Sequence, residues 1–173
     1  QSEYLASTDQ LFRPVRLLNG PDRTMWVCDM YRQVIEHPQW IPEAWQAQLE
    51  LYAGSDRGRI YRVRQKHQSA QPIENLARLS SSELISRLAS PIGAVRDLSQ
   101  QLILERQQLE PEDLPRLTEI ATGHADPAVR VQAWWTLVGL GHGAATVEEI
   151  LQDPDPRVVA NGIQGGALTL DSR

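Results

Sequence analysis

Asp29, Tyr31, Arg32, Glu36 and His37 form the grouping of ionisable residues whose types and spacing could do chemistry. An aspartate or histidine can serve as a base, and arginine with histidine can hold an anion. If the apolar run ending at Met30 faced the mouth of a cavity, Arg32 and His37 would grip an anionic cofactor or substrate. Asp29 or His37 would then accept a proton. The competing reading is local. Asp29 and Arg32 pair with each other or cap a loop, and His37-Pro38 shapes a turn. The sequence favours the local reading, because few of the residues a cofactor pocket needs are present. No residue is assigned a catalytic role, and Asp29, Arg32 and His37 stand as cofactor-binding candidates.

Other groupings carry less. Asp56-Arg57-Gly58-Arg59 reads as a solvated turn whose ion pairs contribute about 0–1 kcal/mol. His124 and His142 sit beside glycines at expected helix ends and suit capping. Neither has a second ligand at metal-binding spacing, so no metal site is expected. Trp134-Trp135 should place one ring in a core and turn the other outward, where it could form a docking patch. There is no glycine-rich phosphate loop and no ordered nucleophile, histidine and acid.

Elements must position these residues, and they differ along the chain. Up to about residue 70 the sequence is punctuated by Gly and Pro and carries Phe12, Trp26, Trp40 and Trp45. Strands are expected at 14–18, 24–30 and 58–64. In the second, Met25, Val27 and Asp29 alternate with Trp26, Cys28 and Met30, as in an inner strand covered on both sides. Asn19-Gly20-Pro21-Asp22 reads as a turn, with Gly20 supplying positive φ and Pro21 a fixed φ. Pro42 to Gly54 reads as a short amphipathic helix. So few strands make a poor sheet in water, which implies pairing with other chain.

After a polar join at 66–72, leucine, alanine, glutamate, glutamine and arginine dominate. Helices are expected over 80–90, 90–109, 110–123, 126–141, 144–152 and 155–170. Asp126-Pro127-Ala128-Val129 returns 29 residues later as Asp155-Pro156-Arg157-Val158. Val95 holds the corresponding place 34 residues before Val129. Four residues past each valine lies a small residue: Ser99, Ala133 or Gly162. That step puts valine and small residue on one helix face and allows close helix approach. Asp caps free N–H groups and Pro fits the first helical position, a cap worth about 1 kcal/mol. The expected fold is mainly α: a HEAT-like α-solenoid of about three helical hairpins over 73–173. Residues 1–65 would be a small β segment with a short helix.

Bulk properties narrow the function. The 173 residues are 41% hydrophobic and 23% charged, enough for a core. Lys+Arg total 17 against Asp+Glu 22, a net charge of −5, which argues against non-specific nucleic-acid binding. A single cysteine, Cys28, excludes an internal disulfide. No apolar run is long enough to span a membrane.

In order, Asn19-Gly20-Pro21-Asp22, Asp29-x-Tyr31-Arg32, His37-Pro38 and Asp56-Arg57-Gly58-Arg59-Ile60-Tyr61, then "LASPIGAVRD" and "DPAVRVQAWWTLVGLG", resemble the bacterial membrane-bound dehydrogenase family. Its members resemble quinoprotein glucose dehydrogenases in a β-propeller, followed by HEAT-like helices and often a cytochrome c domain. Arg23 and Gln33 stand where that pattern usually has glycine. The resemblance implies that this chain is the last propeller strands plus the helical region of an exported or periplasmic protein. It implies pyrroloquinoline quinone with calcium in the parent, with Asp29, Arg32 and His37 near it. Haem c would lie in a separate domain, since C-x-x-C-H is absent here. The region itself would be a helical scaffold or interaction module without its own activity. Its partners would be the rest of the propeller and a protein on the concave helical face. The alternatives are a contribution to a sugar or alcohol dehydrogenase pocket, and a sugar-binding propeller without redox chemistry.

Overall fold

The computed structural model describes residues 4–69 and 71–170, the last three of these by backbone alone. The chain divides into two compact units, Gln1–Pro72 and Ile73–Arg173. About 46% of the residues are helical, beside one small three-stranded antiparallel sheet.

In the front unit the strands are β1 (Pro14–Asn19), β2 (Met25–Asp29) and β3 (Arg59–Val63), with β2 in the middle. The expected inner strand is therefore inner, but its two faces are not equally covered. Val27 and Asp29 are buried, Trp26 and Cys28 are half-buried, and Met30 is exposed. Leu17, Val27 and Tyr61 share one face by register; Leu18, Trp26 and Arg62 share the other. A bulge between Pro14 and Arg16 disturbs the outer strand.

The β1–β2 turn departs from expectation. Gly20 accepts from Arg23 N–H at 3.2 Å and donates to Thr24 O at 2.7 Å, and the left-handed residue is Arg23, with φ 60°. Gly20 is needed for space instead. A Cβ there would lie 2.4 Å from Trp26 Nε1. The expected helix from Pro42 to Gly54 shrinks to α1 (Glu43–Gln46), followed by turns. Its apolar residues find nothing to pack on: Trp45 is 66% and Tyr52 70% exposed. Without a buried face, a short helix has little to hold it together. Gln46 Nε2 instead donates to Pro38 O and Ile41 O, tying the segment to the preceding 3₁₀ turn.

The rear unit contains α2 (Ser81–Arg87), α3 (Gly93–Arg106), α4 (Asp113–Gly123), α5 (Pro127–Gly139), α6 (Val147–Leu151) and α7 (Pro156–Leu170). Consecutive helices pack as pairs: α2 on α3, α4 on α5, α6 on α7. The pairs also touch in sequence, α2 to α4 to α6 and α3 to α5 to α7. Ser80 and Glu83 cap α2 reciprocally, a capping box. Asp126 accepts Ala128 N–H at 2.9 Å and Asp155 accepts Arg157 N–H at 2.9 Å, the capping the Asp-Pro starts imply. Three expected boundaries in α3 and α4 move inward. The third helix begins at Gly93, where Ser90 caps only the preceding turn, and ends at left-handed Gln107. The fourth begins at Asp113, because the Asp113 carboxylate folds back to accept Glu110 N–H at 2.9 Å.

Ser99, Ala133 and Gly162 are all buried, as their spacing implies. The core gathers Leu84, Ile85, Leu88, Ile103, Leu117, Trp134, Leu137, Ile150 and Val158. The tryptophan pair divides as the sequence implies: Trp134 is fully buried, while half-buried Trp135 lies edge-on to it at 5.4 Å and donates to Asn161 Oδ1 of α7 at 2.8 Å.

Candidate functional site

β2 ends at Asp29, and the next residues build the region singled out by the sequence. Asp29 is buried, and its Oδ1 accepts Arg13 N–H at 2.8 Å and Tyr31 N–H at 2.9 Å. One carboxylate oxygen therefore fastens the segment entering β1 to the segment leaving β2. Tyr31 takes a left-handed conformation, φ 51°, and turns its ring inward. Its hydroxyl donates to Asp9 Oδ2 at 2.7 Å, and the Arg59 guanidinium lies 3.8 Å from its ring centre. Gly54, at φ 81°, backs onto this turn; a Cβ there would lie 2.0 Å from Tyr31 O.

The charges here are locked rather than poised. Leu11 N–H and the Tyr31 hydroxyl hold Asp9 below the usual carboxylate range. The same bond to Asp9 raises Tyr31 above the ordinary tyrosine value, so the hydroxyl stays protonated. A tyrosine held as a donor is a strut, not a base or nucleophile.

Arg32 donates to Leu51 O at the long distance of 3.5 Å. Exposed His37 caps a 3₁₀ turn at Pro38–Trp40, its Nδ1 accepting Gln39 N–H at 3.3 Å. Glu36 is exposed. Among the described residues no hydrogen bond or ion pair joins Asp29, Arg32, Glu36 and His37 to one another. Asp29 and Arg32 do not pair; the turn shaped by His37-Pro38 is present. These three candidates do not fit a quinone with its calcium from within this unit. Asp29 spends one oxygen on backbone, His37 points its ring nitrogen at its own turn, and no cluster of three metal-type ligands occurs among the described residues. In this segment two buried polar atoms lack hydrogen-bond partners, Asp29 Oδ2 and Arg32 Nε.

A second polar knot lies at the other end of β2. Buried Asp22 accepts from Thr24 N–H, Thr24 Oγ1 and Trp26 Nε1, and pairs with Arg62 of β3. Burial opposes its ionisation, but the bonds from Thr24, Arg62 and Trp26 outweigh burial and bring its pKa down to about 2. The sequence did not single out Asp9, Arg13 and Arg59 as partners, because each acts across a long sequence separation, nor Asp22, whose Arg62 partner lies 40 residues away. The available hint was the run of turn-forming residues flanking each strand.

The front unit carries a groove of about 420 Å³ with room for a ligand. It is lined by Leu5, Ala6, Ser7, Phe12 and the four consecutive residues Tyr61 to Arg64. Phe12 meets Tyr61 edge-on at 6.0 Å.

Residues 1–67 match a family described as a domain of unknown function (DUF7133). The match covers the strands, α1, Asp29 to His37 and the groove, and ends before the helices of the rear unit begin. No curated protein and no solved structure matches the chain.

Proposed function

We propose that this chain is an interaction module, with a front sheet completed by another polypeptide and a rear unit that forms a short HEAT-like scaffold. The supporting observation is the exposure of the sheet. All six residues of β1 are exposed, Leu17 by 59%, and Ile60 of β3 by 62%. Apolar side chains on both outer strands are left in water where a folded sheet would ordinarily cover them. Pairwise helix packing with Asp-capped starts supports the scaffold reading, as such stacks bury a continuous core and present long surfaces. A photo-crosslinking residue at Leu17, compared with one at exposed Gln101, tests the module reading in the cell of origin. A discrete protein adduct specific to Leu17 supports it; equal labelling at both positions, or none, overturns it.

A second reading rests on the orphaned Asp29 Oδ2 and Arg32 Nε. In it, the segment after β2 lends these groups to a pocket of a sugar or alcohol dehydrogenase whose other walls come from elsewhere. Equilibrium dialysis with pyrroloquinoline quinone and calcium tests it. Retention lost in Arg32→Ala supports the pocket, and absence of retention leaves the scaffold.

A further inference from the structure

We propose that the outer edge of β3 receives an extended acidic segment of another protein as a fourth strand. This rests on the interaction-module reading and names the edge and the partner chemistry. The register fixes which backbone groups are free. Gly20 N–H bonds Thr24 O, so along an antiparallel ladder Leu18 and Trp26 exchange bonds while Val27 turns its own toward Tyr61. Arg59, Tyr61 and Val63 therefore bond inward to β2. Ile60 and Arg62 direct their N–H and C=O groups away from the sheet, where β3 has no neighbouring strand among the described residues.

The groove follows that edge. Neighbouring residues in a strand point to opposite faces, so a hollow lined by Tyr61, Arg62, Val63 and Arg64 together runs along the rim rather than across one face. Tyr61 and Val63 lie on one face and Arg62 on the other, with Arg64 just past the strand, and Leu5, Ala6, Ser7 and Phe12 complete the lining. A strand alternating apolar and acidic residues matches both sides at once.

Charge selects the occupant. From Arg57 to Pro72 the sequence has no acidic residue, but has Arg57, Arg59, Arg62, Arg64 and Lys66. Arg62 is neutralised by Asp22, and Arg57 is loosely paired with Asp56. Among the described residues Arg64 donates to Gln68 O at 2.8 Å and forms no ion pair, and Arg59, stacked on Tyr31 and attracted to Asp9, has no carboxylate within ion-pair distance. A second copy of β3 would bring arginine against arginine. The opposite edge is less receptive, since β1 begins at Pro14, which lacks an N–H, and is bulged beside it.

The test uses the full chain and a fluorescent, end-blocked peptide of alternating Glu and Val, eight residues long, read by anisotropy. Two controls share its length: the Lys–Val peptide, and the Glu–Val peptide N-methylated at alternate residues, which keeps charge but blocks strand pairing. Saturable binding of the acidic peptide, at least tenfold tighter than either control, supports the assignment. Arg64→Glu should weaken it at least tenfold, and Arg16→Glu on β1 should leave it unchanged. Equal binding of the N-methylated peptide, equal loss in Arg16→Glu, or no saturable binding overturns it. A Leu17 adduct without peptide binding would leave the module reading standing and remove only the β3 assignment.

Discussion

The two units of this protein hold themselves together in different ways. The rear unit hides Leu, Ile, Val and Trp side chains from consecutive helix pairs in one cluster, and its buried charges, Asp113 and the Arg130–Asp153 pair, sit beside helix ends. The front unit leaves Val15, Leu17, Leu18, Ile60, Trp40 and Trp45 in solvent and centres on two buried carboxylates, Asp22 and Asp29. One is organised by volume, the other by directional bonds to a few charged groups. Packing by volume tolerates many sequences of similar size, whereas a bonded carboxylate depends on each of its partners. The difference also suits their proposed roles: a scaffold can stand on its own core, while a sheet built to be completed keeps apolar surface in reserve.

The largest expected effect crosses that division, because the rear unit contains a buried ion pair as well. Arg130 of α5 grips both oxygens of Asp153, at 2.7 and 2.8 Å, and donates to His124 O. It thereby joins the α4–α5 connection to the α6–α7 connection. The Asp153 side chain is only 4% exposed. Arg130→Met should destabilise the rear unit by about 3–5 kcal/mol, because it strands a buried carboxylate. Urea unfolding followed by far-UV circular dichroism measures this, and Arg130→Met with Asp153→Leu should recover most of the loss. No recovery would mean that the arginine acts mainly through the loop carbonyls.

Next in size is a change aimed at volume. Ala133 is fully buried in α5. Ala133→Leu should destabilise by about 1–3 kcal/mol through overpacking. A neutral result in the same unfolding experiment would remove volume as the organising feature of the rear unit.

Acid should weaken the front unit through Asp22. Asp22 has its pKa depressed from 3.8 to about 2 in the folded protein. Its contribution is present above the ordinary value and is lost as pH falls through the folded one, so the front unit weakens between about pH 4 and pH 2. The Trp26 indole N–H signal in NMR reports this directly, since that group donates to Asp22 at 3.1 Å. In Asp22→Asn the signal should lose this dependence, and persistence of the same titration would assign it to another carboxylate.

The smallest effect is a gain. Arg23 is left-handed at φ 60°, a conformation that costs a non-glycine residue about 1–2 kcal/mol. Glycine gives back roughly 0.5–1 kcal/mol of that through added freedom in the unfolded chain. Arg23→Gly should therefore stabilise the front unit by about 0.5–1 kcal/mol, visible as a shift in the Trp26 transition midpoint. A loss would show that the Arg23 side chain holds the turn.

Legibility followed the range of the interactions. The Asp126 and Asp155 caps, the strand positions and the buried small residues at 99, 133 and 162 were readable, since each follows from a few adjacent residues. The helix expected after Pro42 was not, because its apolar spacing was sound and only a packing surface was wanting. Nor was the setting of Asp29 and Tyr31. Their partners Arg13, Asp9 and Arg59 lie 16 residues or more away, and nothing local announces them.

The sequence alone determined where this chain can be strand and where it can be helix, because periodicity, caps and turn residues act within a few positions. It also determined the helix faces meant to meet, through the recurring valine and small residue. Only the tertiary structure decided that Asp29 is a clamp, that Trp135 lies against α7, and that β3 ends the sheet with its arginines along an open edge. Those outcomes depend on which distant groups arrive beside one another, and on which surfaces are left over when they have.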